Sequence, residues 1–134
     1  MNANIRIRTD EKVIYPDLSY MIIGATYQVF NDMGYGLSEQ TYQKAFAKEL
    51  ETRNITFKRE QLATLQYKGE PVARFFLDFV LEEKIVVELK VRSKLGYAHI
   101  KQVMNYLKAT GLKLAILIYF TRDGVKYRRV LNAS

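Results

Sequence analysis

Arg74-Phe75-Phe76-Leu77-Asp78-Phe79-Val80-Leu81-Glu82-Glu83-Lys84-Ile85-Val86-Val87-Glu88-Leu89-Lys90 decides the fold. Two apolar runs flank a short charged break, so the stretch predicts a β-hairpin with strands Arg74–Leu81 and Ile85–Val91 and a turn at Glu82–Lys84. Charge stands where a buried strand asks for a hydrophobe, at Asp78, Glu88 and Lys90. Alternation puts Val86, Glu88 and Lys90 on one face and Val87, Leu89 and Val91 on the other. In the first strand it puts Phe76, Asp78 and Val80 opposite Phe75, Leu77 and Phe79. A three-residue turn pairs Leu81 with Ile85 and brings Asp78 opposite Glu88; a two-residue turn puts the carboxylates on opposite faces. The first register is the expected one. Like charges across a ladder repel, and ionised groups among apolar neighbours cost several kcal/mol each. Lys90 alone cannot neutralise two carboxylates, whereas a divalent cation can. The bland alternative is a solvent-facing ladder in which Glu-x-Lys has no special role.

Outside the hairpin, composition bounds the class. A chain of 134 residues, 49% apolar and 26% charged, suits one folded domain with a real core. With no cysteine and a single histidine, His99, thiolate chemistry is excluded and a histidine-rich zinc site is disfavoured. No apolar run reaches the ~20 residues of a membrane span, and the first residues lack a secretory apolar core. A cytoplasmic protein with no membrane partner is expected. The net charge of +7 favours a polyanionic partner, weakly; a homo-oligomer is left open.

Residues 1–16 read as an N-terminal arm or short edge strand, and 17–134 as a single domain. Asp17 or Ser19 is expected to cap a helix from Leu18 to about Asp32, with Ile22, Ala25, Val29 and Met33 facing the core. Gly34-Tyr35-Gly36 turns the chain into a second helix, about Leu37 to Arg53. There Glu39, Tyr42, Phe46 and Leu50 share one buried sector. An acid at that position is either a first-turn residue favoured by the helix dipole or a ligand aimed into a site. Phe57 to Tyr67 reads as a strand closed by Lys68-Gly69. After the hairpin, Ala98 to Ala109 predicts a third helix presenting Ile100, Val103, Met104 and Leu107 to the core, with His99, Gln102 and Tyr106 along its flank. Leu112 to Phe120 is too continuously apolar for a half-exposed strand and predicts a sheet centre. Asp123-Gly124 then turns into a basic edge strand, Val125–Leu131, carrying Lys126, Arg128 and Arg129. The order α-α-β-β-β-α-β-β gives an α/β fold, a mixed β-sheet flanked by helices.

Asp78, then nine residues, then Glu88-Leu89-Lys90, with strands before and a helix after, resembles the PD-(D/E)xK nuclease superfamily. Gly36-Leu37-Ser38-Glu39-Gln40-Thr41-Tyr42 is similar to Gly-x-x-Glu-x-x-Tyr, the signature of the GxxExxY family within it. His99-x-x-Gln102-x-x-x-Tyr106 resembles that family's third-helix pattern. The likeness covers roughly Leu18 to Leu131, and its three blocks in order are more specific than Asp…Glu-x-Lys alone. One departure is Leu77, which stands where the superfamily's name has proline.

The resemblance implies a restriction-endonuclease-like core and a metal-dependent nuclease. In that reading Asp78 and Glu88 ligate Mg²⁺ or Mn²⁺, with the backbone carbonyl of Leu89 as a further oxygen. Glu39 enters as a third acid, ligating directly or holding a water on the ion. Lys90 orients or helps deprotonate the attacking water and offsets transition-state charge. Gln102 positions phosphate or water, with Tyr106 and Tyr42 in support and His99 either at the rim or structural. The substrate is nucleic acid, DNA or RNA, held through phosphates by Arg92, Lys94 and Lys101. Two rivals stand beside this: a catalytically silent nuclease fold that binds nucleic acid or a protein partner, and a small interaction protein whose acids form only a buried ionic cluster.

Overall fold

The computed structural model describes residues 14–93 and 96–133. Most of the arm expected at 1–16, and Lys94 among the expected phosphate contacts, lie outside the described residues. The elements are α1 (Pro16–Met33), α2 (Glu39–Thr52), β1 (Phe57–Tyr67), β2 (Glu70–Leu81), β3 (Ile85–Val91), α3 (Tyr97–Thr110), β4 (Leu114–Thr121) and β5 (Gly124–Leu131). Five strands form one sheet in the order β1-β2-β3-β4-β5. Neighbours are antiparallel except β3 and β4, which run parallel. A parallel pair cannot be joined by a tight turn, and α3 supplies the crossover. One sheet face packs on α1 and α2 through Ile22, Val29, Phe46 and Leu50. The other packs on α3 through Val103, Tyr106 and Leu107. Covered on both faces, β4 is buried along its whole length, as its unbroken apolar run predicts.

The central hairpin takes the three-residue turn. Leu81 pairs with Ile85, Val80 with Val86 and Phe79 with Val87. Glu82 and Glu83 adopt left-handed backbone, at φ 52° and 57°, and the Lys84 N–H closes the turn on the Leu81 carbonyl at 2.9 Å.

One expectation about faces fails. Phe75 and Leu77 pack in the α3-side core, but Phe79 and Leu81 pack in the α1/α2-side core, so the alternation inverts across Asp78. The neighbouring strand inverts at the same level. Phe57 faces the α1/α2 side, where its ring lies 5.8 Å from Phe79, while Ala63 faces α3. Between them Arg59 pairs with Phe79 and Gln61 with Leu77, while Glu60 and Asp78 are left out of the ladder. Glu60 has φ 51°, left-handed backbone within a strand. Apolar residues on both sides of the inversion hide it from a period-two pattern.

Smaller corrections concern ends. α1 begins at Pro16 with Tyr15 as N-cap and no side-chain cap, so Asp17 lies in the first turn. Ser19 is buried there rather than capping. Met33 and Met104, both assigned to the core, are each 44% exposed. β2 reaches back past Arg74 to Glu70. Pro71 fits because it follows a register irregularity at Leu65/Gln66, where a missing N–H is tolerated. Thr121 pairs with Gly124, so the last turn is Arg122-Asp123 rather than Asp123-Gly124.

Candidate active site

Beyond Phe79 and Val87 the β2–β3 ladder stops, while β3 stays paired with β4 through Glu88, Leu89 and Lys90. Side chains take over the hydrogen bonding at the parting of the strands. The Glu88 carboxylate accepts the Asp78 N–H at 3.3 Å. The Asp78 carboxylate accepts the Leu89 N–H at 3.2 Å. Glu88 is only 1% exposed and Asp78 is half-buried. No lysine or arginine among the described residues makes an ion pair with either acid.

Glu39 is the first residue of α2, behind the Ser38 N-cap whose hydroxyl accepts the Thr41 N–H at 3.1 Å. Its carboxylate accepts the Val91 N–H at 3.3 Å, just past Lys90. Tyr42 fixes the turn that delivers this acid. Its hydroxyl donates to the Gly34 carbonyl at 2.5 Å and accepts the Leu37 N–H at 3.4 Å, while its ring stacks on Phe120 at 4.3 Å. Tyr42 therefore holds the approach to Glu39 from within the core.

From the other face, α3 contributes His99, Gln102 and Tyr106. Tyr106 is buried, not at the border as its flank position suggests, and packs on Phe75 at 5.4 Å. Gln102 is half-buried, and its Oε1 is buried without a hydrogen-bond partner among the described residues. His99 Nδ1 lies 2.7 Å from the hydroxyl of Tyr119, which also accepts the Gly96 N–H at 3.2 Å. Tyr119 pairs with Lys90 across β3 and β4 and is fully buried. Its place in the apolar run Leu114–Thr121 carries no sequence signal of a site role.

A family model described as the PD-(D/E)XK nuclease superfamily matches residues 16–130. The chain belongs to that superfamily. Among solved structures it is similar to SSO0001, with a TM-score of 0.56 at 19% identity, covering 93% of this chain and 61% of that one. It is also similar to the alkaline exonuclease LHK-Exo from Laribacter hongkongensis, alone and in complex with dAMP. Each of those comparisons has a TM-score of 0.49 at 12% identity and covers 80% of this chain and 76% of that one. A search of curated proteins gives no match. The α/β order and mixed sheet frame the acid-bearing hairpin.

PD-(D/E)XK nucleases generally use divalent metal ions, and the donor set here fits one at two of the three expected acids. Burial comes first, then the hydrogen bond and charge of Asp78, in pushing Glu88 from an ordinary 4.5 up to about 10. The Asp78 N–H and Lys90 oppose the shift. Two acids in this state need a proton or a cation between them. Glu39 does not complete a cage: no three His, Asp or Glu side chains among the described residues converge as a metal-binding group. The three acids foreseen at one spot are a pair with a neighbour tied to the Val91 N–H. Burial, followed by the Glu88 and Asp78 charges, raises the Tyr106 hydroxyl above its ordinary range. Burial, then Lys90 and Arg92, lower His99, against a smaller pull from Glu39. Arg92 and Lys101 are exposed.

Proposed function

We propose that the chain is a metal-dependent nuclease that hydrolyses nucleic-acid phosphodiesters at the Asp78–Glu88 pair. The observation that carries this reading is the reciprocal pair of hydrogen bonds at the strand break, with no lysine or arginine among the described residues in ion-pair contact with either carboxylate. Asp78 and Glu88 would hold Mg²⁺ or Mn²⁺, with the Leu89 carbonyl as a further oxygen. Small hard cations of this kind take one or two carboxylates and keep several waters. When bound, the ion supplies Lewis-acid polarisation of the phosphoryl group and acidifies water.

The chain's own residues do the rest. Lys90 stands next along β3 from Leu89 and places a positive charge where the phosphoryl oxygens gain negative charge. Glu39, held at the Val91 N–H, orients a water rather than ligating directly. Gln102 presents an amide whose oxygen has no partner among the described residues, which suits a group that positions water or phosphate. Arg92 and Lys101, exposed beside the α3 N-terminal turns, contact backbone phosphates without reading bases. The Gly36–Tyr42 block, with Tyr42 clamping the turn before Glu39, supports a finer placement in the GxxExxY family.

A second reading has its own support. The lack of a three-acid group among the described residues favours a nuclease fold that binds nucleic acid without cutting it. Cleavage of labelled DNA and RNA with Mg²⁺ or Mn²⁺, wild type against Asp78→Ala, separates the two. Metal-dependent cutting lost in the variant supports the nuclease. Equal binding by both proteins with no cutting supports the silent module.

A further inference from the structure

Tyr119 Oη is fully buried and has two partners among the described residues, the Gly96 N–H at 3.2 Å and His99 Nδ1 at 2.7 Å. The N–H of Gly96 can only donate, so it occupies a lone pair of the hydroxyl oxygen. If His99 also donated from Nδ1, the hydroxyl hydrogen would be buried with no acceptor, which costs about 1–3 kcal/mol. The arrangement satisfied throughout has the Tyr119 O–H donating to an unprotonated Nδ1. A neutral imidazole carries its hydrogen on the other nitrogen, Nε2. Burial and the nearby Lys90 and Arg92, against a smaller pull from Glu39, lower the His99 pKa and so favour the neutral ring.

We infer that Tyr119 is a positioning residue that locks His99 as the Nε2–H tautomer, so that His99 donates a hydrogen bond to a phosphate oxygen of the bound nucleic acid. The inference rests on the nuclease-site reading for the identity of the ligand. The ring sits among Lys90, Arg92 and Glu39, close enough for each to act on it electrostatically, so its Nε2–H, without a hydrogen-bond partner among the described residues, serves the same strand that those cations attract. Lys90 and Tyr119 are partners across the β3–β4 ladder, which ties the tautomer lock to the strand bearing Glu88.

His99 is the single histidine of the chain, so one pair of imidazole ¹⁵N resonances reports it unambiguously. In the wild-type protein at neutral pH the expected spectrum has a pyrrole-type Nε2 and a pyridine-type Nδ1. The reverse assignment overturns the inference. Tyr119→Phe should turn this into a tautomer mixture, and the wild-type spectrum stands as the test if that variant fails to fold. In EDTA, saturation with DNA or RNA oligonucleotides should shift the Nε2–H signal. Binding without that shift, or no binding of either polymer, overturns the donor role. His99→Gln, which keeps an N–H near the Nε2 position, should retain affinity. His99→Asn should lose about tenfold, the worth of one hydrogen bond to a charged group; equal affinities overturn the inference. Oligonucleotide binding with the Nε2–H shift but no metal-dependent cleavage would instead defeat the nuclease reading and leave this one standing.

Discussion

Asp78 and Glu88 each take a backbone hydrogen from the other's strand: Glu88 accepts the Asp78 N–H at 3.3 Å, and Asp78 accepts the N–H of Leu89 at 3.2 Å. The exchange occurs at the first position where β2 and β3 no longer pair. Carboxylates thus stand in for ladder bonds, and the opening between the strands is filled by two acids instead of two peptides.

Neutralising one acid should strengthen the metal-free fold. Asn at position 78 keeps an oxygen for the Leu89 N–H and removes the Asp78 charge that helps to hold a proton on buried Glu88. Asp78→Asn is expected to raise stability in EDTA by about 1 kcal/mol and to abolish metal-dependent cleavage. Urea unfolding in EDTA checks the first half. A destabilised variant would mean that the pair is a structural ionic cluster.

The pH dependence follows from the raised Glu88 pKa. The folded protein keeps a proton that the unfolded chain has released, so its stability contribution is complete below 4.5 and is lost as pH rises towards about 10. Metal-free stability should therefore fall across that window, by at most about 1.4 kcal/mol per pH unit. Saturating Mg²⁺ should flatten the fall. Denaturation midpoints at several pH values, with and without the ion, measure both slopes.

Tyr42→Phe removes the bond to the Gly34 carbonyl while leaving the ring stacked on Phe120. Stability should drop by about 1 kcal/mol. Cleavage should fall further than that loss alone explains, because the turn preceding Glu39 loosens. A variant with unchanged turnover would remove Glu39 from the working site.

At Glu60 the left-handed backbone should matter more than the side chain. Glu60→Gly relieves a conformation that costs a non-glycine residue about 1 kcal/mol and should stabilise or be neutral. Glu60→Val, β-branched at positive φ, should destabilise and disturb the face inversion that sets Asp78. Chemical denaturation of the two variants gives opposite signs if the bend is built this way.

Much of the fold was legible because the hairpin's pattern has few solutions. The three-residue turn set the Leu81–Ile85 register, which runs as far as Phe79 and Val87, and Asp78 and Glu88 meet just past it through their side chains. The Tyr42-Phe46-Leu50 stripe likewise follows from helical spacing, whereas the Ser38 cap was not foreseen and moves the expected helix start from Leu37 to Glu39. The face inversion was hidden because Leu77 and Phe79 are equally apolar and both buried, so nothing in residue type distinguishes their two cores. Tyr119 was hidden for a related reason. Within a wholly buried strand its ring reads as core, and only the approach of Gly96 and His99 in three dimensions gives its hydroxyl a task. Glu39 was expected as a third acid at the same spot, and it is hydrogen-bonded to the Val91 N–H instead, since helical phase fixes which side an acid faces and not how deep it reaches.

Calorimetric titration of Mn²⁺ into the metal-free protein at neutral pH, repeated in buffers of different ionisation enthalpy, tests the acid pair most directly. Binding must displace the proton that Glu88 holds, so saturable heat should vary with buffer and report proton release, and Asp78→Ala should abolish it. Absence of saturable binding, or binding that releases no proton and survives Asp78→Ala, would contradict a metal site at Asp78 and Glu88.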